Sequence, residues 1–408
     1  MSKKEVRWRN MNLPKNETIN LSGKNIGLRA FAVGVLLLIA VIFLGRALSD
    51  FLNTEPGWQS VEVESDTVNV STEFNFSYDF SDYGGTASMA YKKLIDVYSR
   101  ATEDAYRIFH QQVEELNNHL NEPFAVDPAL YDALALLVAH NNRYFYLAPV
   151  YQEYAGIFLS GGDGEAAQFD PNQNPELVPY ISQAASFAND SEMIRLELLE
   201  DNQVQLFVSE EYLAFAEEYE ITKFVDLNWM TNAFVVDFLA EKMTENGYTC
   251  GYIASYDGFT RNLDSRGNSY NFNLFDQQGR TIYPAAVFQY NQPISIVFLR
   301  NYPMDDKDWL HYYEFENGTV ATVFIDPADG MSKASTDSMI SYSYQRSCAE
   351  ILMEAAPVFI ADEFTALNAE NMHSIWFEDQ LVLCSEQDAA IQIDADSGYS
   401  RARFMQTN

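Results

Sequence analysis

Asp226-Leu227-Asn228-Trp229-Met230-Thr231-Asn232-Ala233-Phe234-Val235-Val236-Asp237 is the stretch on which the reading of this chain turns. It opens a strong helix that runs to Asn246, and Gly247 then stands where a left-handed residue ends a helix. Residues 250–256 follow as a strand and stop at Asp257-Gly258, a turn pair. A helix, a turn and a strand within thirty-odd residues mark the chain as mixed α and β.

Toward the N-terminus the same signals continue. Residues 194–199 and 204–208 alternate as a hairpin around Asp201-Asn202, and residues 209–219 read as an acidic helix. A short helix is predicted over 177–188, and the Gly-, Asp-, Asn- and Pro-rich run 159–176 reads as a loop. Asp127 with Pro128 predicts the start of a helix to about Asn142. Residues 87–120 read as a longer helix, since Leu94, Tyr98, Ala101, Ala105, Ile108, Val113, Leu116 and Leu120 recur at steps of three to five. Toward the C-terminus, 272–325 holds several strands, 347–356 a helix, and 374–384 a strand pair with a turn at Glu378-Asp379. Helices and strands do not alternate strictly, so the expected class is α+β, in one large domain at 76–390. Residues 51–75 read as a stalk or first strand, and 391–408 as a polar tail.

The apolar stretch 30–45, AFAVGVLLLIAVIFLG, carries no charge. With its flanks it gives a span at 26–50, long enough to cross a bilayer if Arg29 and Arg46 reach the interface. Eight basic side chains against three acidic ones fall in residues 1–50, mostly before the apolar stretch. That bias predicts a cytoplasmic tail at 1–25 and an extracytoplasmic body. A cleaved signal peptide ending near Ala47-Leu48-Ser49 is the rival reading. The whole chain carries −34, which leaves −39 for the body. A field of that sign excludes nucleic acid as a partner and otherwise serves solubility. Cys250, Cys348 and Cys384 are too few and too far apart for a cysteine-type zinc site.

Three segments carry a resemblance. The stretch 226–237 matches a pattern Asp-Leu-Gly-Gly-Ile-Ala-Lys-Gly-x-x-x-Asp at Asp226, Leu227 and Asp237, and Gly247 and Gly258 follow in order. Ile325-Asp326-Pro327-Ala328-Asp329-Gly330 is similar to His-x-Ile-Asp-Pro-x-Thr-Gly. Cys348-Ala349-Glu350-Ile351-Leu352-Met353-Glu354 stands where Ala-Asp-Ala-Leu-x-Thr would. Together they make residues 76–386 resemble the FAD:protein FMN transferase, or ApbE-like flavin transferase, family. The resemblance implies a single flavin-transferase-like domain after one N-terminal transmembrane helix. It also implies FAD as donor, a divalent metal such as magnesium, and work on exported electron-transfer proteins at the outer face of bacterial membranes.

Carried over position by position, the resemblance points to Asp226, Asn232, Asp237, Asp257, Gly258 and Asp326 for cofactor binding, and to Glu350, Glu354 and Asp326 for the metal. The departures matter more than the matches. Trp229 stands where a glycine would let backbone approach phosphate. Asn232 supplies no positive charge where the pattern has lysine, and Val323 neither titrates nor donates where it has histidine, although His311 lies twelve residues earlier. Glu350 and Glu354, spaced i and i+4, share one helix face, which serves either a metal or a solvated acidic surface. Asp326 and Asp329 fit ordinary turn chemistry as well as ligation. The Tyr144-Phe145-Tyr146 run would stack on a flavin or fill a core, and His110 and His119 read as helix residues without a metal pattern. Two expectations follow. One is a non-catalytic, membrane-anchored binding or structural module with an extracytoplasmic or membrane protein partner. The other is a divergent but working transferase.

Overall fold

A computed structural model describes Phe43 and residues 56–63, 73–304, 308–361, 370–386, 388–395 and 397–403. The chain divides at Thr54 and Glu55, and the unit Glu55–Asn408 holds every element below. The span expected at 26–50 lies outside the described residues, Phe43 apart; among the described residues no helix is long and apolar enough to cross a membrane.

Two strands, β1 (Trp58–Val61) and β2 (Phe74–Asp79), lead into helix α1 (Ala87–Tyr106). A π-helical turn, Arg107–Gln111, and one further turn, Gln112–Leu116, prolong it. Then come β3 (Pro123–Ala125), α2 (Pro128–Ala139), α3 (Ala148–Phe158) and α4 (Val178–Asn189). The hairpin β4 (Ile194–Leu198) and β5 (Gln203–Val208) precedes α5 (Glu210–Glu218) and α6 (Thr231–Glu245). Five strands follow: β6 (Gly251–Ser255), β7 (Phe259–Asn262), β8 (Tyr270–Gln278), β9 (Thr281–Tyr290) and β10 (Ile294–Arg300). A small hairpin, β11 (Tyr312–Glu314) and β12 (Val320–Thr322), leads to β13 (Ser338–Ser343) and α7 (Cys348–Ala361). The chain ends with β14 (His373–Glu378), β15 (Leu381–Cys384), β16 (Ile391–Gln392) and β17 (Ser400–Arg403).

Nine strands form the main sheet, in the order β1-β2-β6-β7-β10-β13-β14-β15-β17. Every pairing is antiparallel except β15 with β17. The central strand β10 explains the layering. All seven of its residues are buried, so its side chains must enter two cores. Val297 and Leu299 join the core beneath α1, α6 and α7, while Ile294, Ile296 and Phe298 join a second core beneath β8 and β9. The α+β expectation therefore holds, as three layers with the sheet in the middle.

Local signals explain most boundaries. Asp127 caps α2, accepting from the Ala129 amide at 3.1 Å, with Pro128 at the first helical position. Asp201 and Asn202 take left-handed φ values of 57° and 54° between β4 and β5. The five-residue step from Ile108 to Val113 falls on the π turn, where one extra residue shifts the apolar face. Two expectations need correction. Helix α7 does not stop at 356 but passes through Pro357, and Ser335 Oγ donates to the Val358 carbonyl near its end at 2.8 Å. The β14–β15 turn is centred on Asp379-Gln380, both left-handed. The sheet also takes in β1, from the segment read as stalk or first strand, and β17, from the segment read as tail.

Candidate functional site

The start of α6 sets the site. Asp226 Oδ1 accepts from the Asn228 amide at 2.9 Å, and Asn228 turns the chain with φ of 49°. Asparagine tolerates that conformation, so it takes over the backbone role a glycine would have there. The next residue, Trp229, is buried, and its indole N–H donates to the Tyr151 hydroxyl of α3 at 2.8 Å. Edge-on contacts to Phe324 at 5.1 Å and Tyr144 at 5.9 Å hold the ring from two more sides. Tyr144, Phe145 and Tyr146 are all buried and belong to the core.

Opposite Trp229 lies the turn between β6 and β7. Gly258 has φ of 115°, and a Cβ there would sit 2.2 Å from the Phe298 carbonyl oxygen, so only glycine fits. This close approach fixes Asp257. The residue is half-buried. Oδ2 accepts from Asn232 Nδ2 at 2.9 Å, and Oδ1 is buried with no hydrogen-bond partner among the described residues. Burial raises the pKa of this carboxyl, against the smaller opposing pull of His311. Glu73 stands at the mouth, its pKa raised by burial and then by Asp257. His110, on the π turn, is pushed down by burial toward the neutral form.

Trp229, Asp257, Asp308, His311 and Val323 line both a cleft of about 340 Å³ and an inner pocket of about 30 Å³. Arg300 closes the inner pocket. Its Nη2 donates to Asp308 Oδ1 at 2.6 Å and to the Tyr256 carbonyl at 3.2 Å, while its Nε is buried without a partner among the described residues. Val323 and His311 face each other at the end of the β11–β12 hairpin, with the Val323 amide donating to the His311 carbonyl at 3.3 Å. An imidazole therefore reaches the cleft from the strand opposite the one that resemblance favoured.

Of the residues suggested for cofactor binding, the structure brings only Asn232 and Asp257 to the cleft lining, with Gly258 shaping the turn. Asp226 is paired with Lys223. Asp237 is buried in a clamp: its carboxylate binds Arg261 at 2.7 Å and the Cys348 and Ala349 amides at 2.9 and 2.8 Å. Asp326 accepts from the Ala328 amide at 2.9 Å and from Lys333 Nζ at 2.8 Å. The suggested metal ligands are not brought together. Glu350 and Ser347 form a reciprocal cap on α7, Ser347 N to Glu350 Oε2 at 2.8 Å and Glu350 N to Ser347 Oγ at 3.2 Å. Glu354 faces Arg346 at 3.7 Å and His140 at 3.8 Å. Among the described residues no group of three His, Cys, Asp or Glu is placed to hold a metal. Glu73, Arg300 and Asp308 escaped the sequence reading; the one available signal was a lone arginine closing the apolar run of β10.

A three-layer α+β domain with its cleft at the β6–β7 turn and the α6 N-terminus is the fold of the flavin transferases. Among solved structures the chain is similar to the ApbE protein of Thermotoga maritima, with TM-score 0.51 and 11% identity over 83% of this chain and 97% of that one. It is likewise similar to the flavin transferase ApbE from Vibrio cholerae, with TM-score 0.50 and 14% identity over 85% and 98%. No family profile and no curated protein sequence matches the chain. At these identities the likeness is one of fold.

Proposed function

We propose that this chain is a membrane-anchored, extracytoplasmic binding module built on the flavin-transferase fold, and that it does not transfer flavin. One observation carries the reading: Trp229 fills the place where a glycine would admit a nucleotide, locked by Tyr151, Phe324 and Tyr144. The remaining cleft, at about 340 Å³, lies at the low end of the roughly 300–1,000 Å³ of ligand pockets. Its charge argues the same way. Glu73, Asp257 and Asp308 line it, and the guanidinium of the inner pocket, Arg300, is already bound to Asp308. A pyrophosphate there meets carboxylates rather than the divalent ion that its transfer chemistry requires. FAD and magnesium do not fit the residues present. The apolar stretch at 26–50, with basic residues before it, supports the anchor and the outward placing of the body, where an exported or membrane protein is the expected partner.

A second reading, a divergent working transferase, is favoured by His311, which puts an imidazole beside Val323. Full-length protein in detergent, given FAD and Mg²⁺, separates the two. The module reading expects no AMP release and no yellow complex; AMP release would overturn it. Resistance to alkaline carbonate extraction, with external protease degrading the body in spheroplasts, checks the anchor and its orientation.

A further inference from the structure

We propose that the cleft binds a small organic cation, a primary or secondary ammonium on a compact aromatic or apolar body, with Asp257 as its counter-ion. The proposal rests on the preceding reading, that the nucleotide site has been lost, and names what replaced the nucleotide. The decisive atom is Asp257 Oδ1, buried and without a partner among the described residues, on a side chain whose residue lines the cleft. An oxygen so placed forgoes a hydrogen bond that water would have given it, and a ligand N–H restores it. Asp257 as a residue is only half-buried, but its Oδ1 is shut off from solvent.

The surrounding charges fix the sign of the ligand. Arg300 is neutralised by Asp308 and donates to the Tyr256 carbonyl, and its one buried nitrogen without a partner among the described residues, Nε, belongs to a residue that lines the inner pocket and not the cleft. His110 is pushed toward its neutral form by burial, and Lys223, beyond it, is paired with Asp226. Burial raises the Asp257 pKa by more than His311, Ser255, Asn232 and Arg300 together lower it. Glu73 adds a second carboxyl at the mouth. An ammonium would relieve both acids, whereas a carboxylate or phosphate would add to them.

The walls fix its body. Tyr151, Tyr154, Phe158 and Trp229 line the cleft. The Tyr151 hydroxyl accepts from Trp229, and the Tyr154 hydroxyl accepts from the Ser332 amide at 3.1 Å. Each hydroxyl oxygen is thus held while its O–H remains a donor, and the rings offer π surface, which attracts a cation and covers an apolar skeleton. A volume of about 340 Å³ suits one ring with a short arm.

The probe is 2-phenylethylamine, titrated into the full-length chain in detergent and followed by calorimetry and tryptophan fluorescence. We expect saturable binding, at least tenfold weaker for 2-phenylethanol and weaker still for phenylacetate. The N,N,N-trimethyl analogue, which lacks N–H, should lose several-fold. Asp257→Asn should cost at least tenfold and Glu73→Gln a few-fold. Equal or tighter binding of the alcohol or the carboxylate, or an unchanged Asp257→Asn, overturns the proposal, as does no saturable binding of the amine. The ligand series runs on the unmodified chain, so a variant that fails to fold does not shelter the idea. AMP release from FAD in the same preparation is scored separately: it would sink the module reading, while amine binding alone decides this one.

Discussion

Asp237 and Asp257 sit in neighbouring parts of one structure and do opposite things. Asp237, on α6, has both oxygens in use: Oδ1 accepts from Arg261 and the Cys348 amide, and Oδ2 from the Ala349 amide at the start of α7. It joins α6, β7 and α7, and its charge sits at a helix N-terminus, where the peptide dipoles favour an anion. Asp257, at the β6–β7 turn, is less deeply placed as a residue, yet it has one oxygen bound and one buried and orphaned. The first aspartate holds the fold together, its desolvation offset by an arginine and two amides. The second weakens the fold, and the geometry that weakens it is what leaves it available to a ligand. Resemblance alone had put both in one cofactor site.

The largest break of that contrast is Asp237→Ala. It leaves Arg261 and two helix-terminal amides without an anion, and removing one partner of a buried charged pair costs about 3–5 kcal/mol. A denaturation midpoint measurement should show that loss at neutral pH. Asp257→Asn should act in the opposite direction. Asparagine keeps the shape but removes a charge that burial disfavours, so the ligand-free variant should match or exceed the parent in stability at neutral pH. The pH dependence gives the sharper reading. A carboxyl whose pKa is raised on folding binds more protons folded than unfolded, so its contribution falls as pH rises from the ordinary value of 3.8 through the raised one. The parent should therefore lose stability relative to Asp257→Asn across that window, and parallel curves would show that the carboxyl is not buried as described.

The contrast also marks what the sequence could yield. Elements were legible where one residue type admits few roles: Asp127-Pro128 before α2, Asp201-Asn202 between strands, Gly247 after α6. The layering was less so. β10 is apolar but for Ser295 and Arg300, and nothing in ISIVFLR says that alternate residues serve two cores. β17, SRAR, is too short and polar to announce itself, because its pairing comes from Leu381–Cys384 beside it. In the site, Gly258 and Trp229 were readable, since one needs a special φ and the other fills space. The metal assignment to Glu350, Glu354 and Asp326 was not, because spacing along a helix does not tell a ligand from a cap. His311 entered the cleft through cross-strand pairing with Val323, which a linear motif cannot express.

Glu350 turns that lesson into a middle-sized test. If its carboxylate caps α7 with Ser347, Glu350→Ala should cost about 1 kcal/mol, and Glu350→Gln almost nothing, because an amide oxygen accepts from the Ser347 amide as well. A metal ligand would behave otherwise: the glutamine variant would lose most of a magnesium-dependent rise in melting temperature that the parent showed.

The smallest effect is expected at Lys333, which bridges Asp326 at 2.8 Å and Asp329 at 2.6 Å. Its side chain is 41% exposed, and ion pairs at such sites contribute about 0–1 kcal/mol. The turn does not depend on it. The Asp326 carbonyl accepts from the Gly330 amide at 2.8 Å, the Asp326 amide donates to the Met331 carbonyl at 2.8 Å, and Oδ1 holds Ala328. Gly330, at φ of 75°, packs so closely on Ile181 that a Cβ would meet Cγ2 at 2.6 Å, which anchors the loop to α4 independently of charge. Lys333→Met should therefore cost under about 1 kcal/mol at low salt, and molar salt should erase most of the difference, since screening weakens the pair and leaves the backbone turn intact. A loss of several kcal/mol that persisted in salt would mean that Asp326 resembles Asp237 more than the surface turn described here.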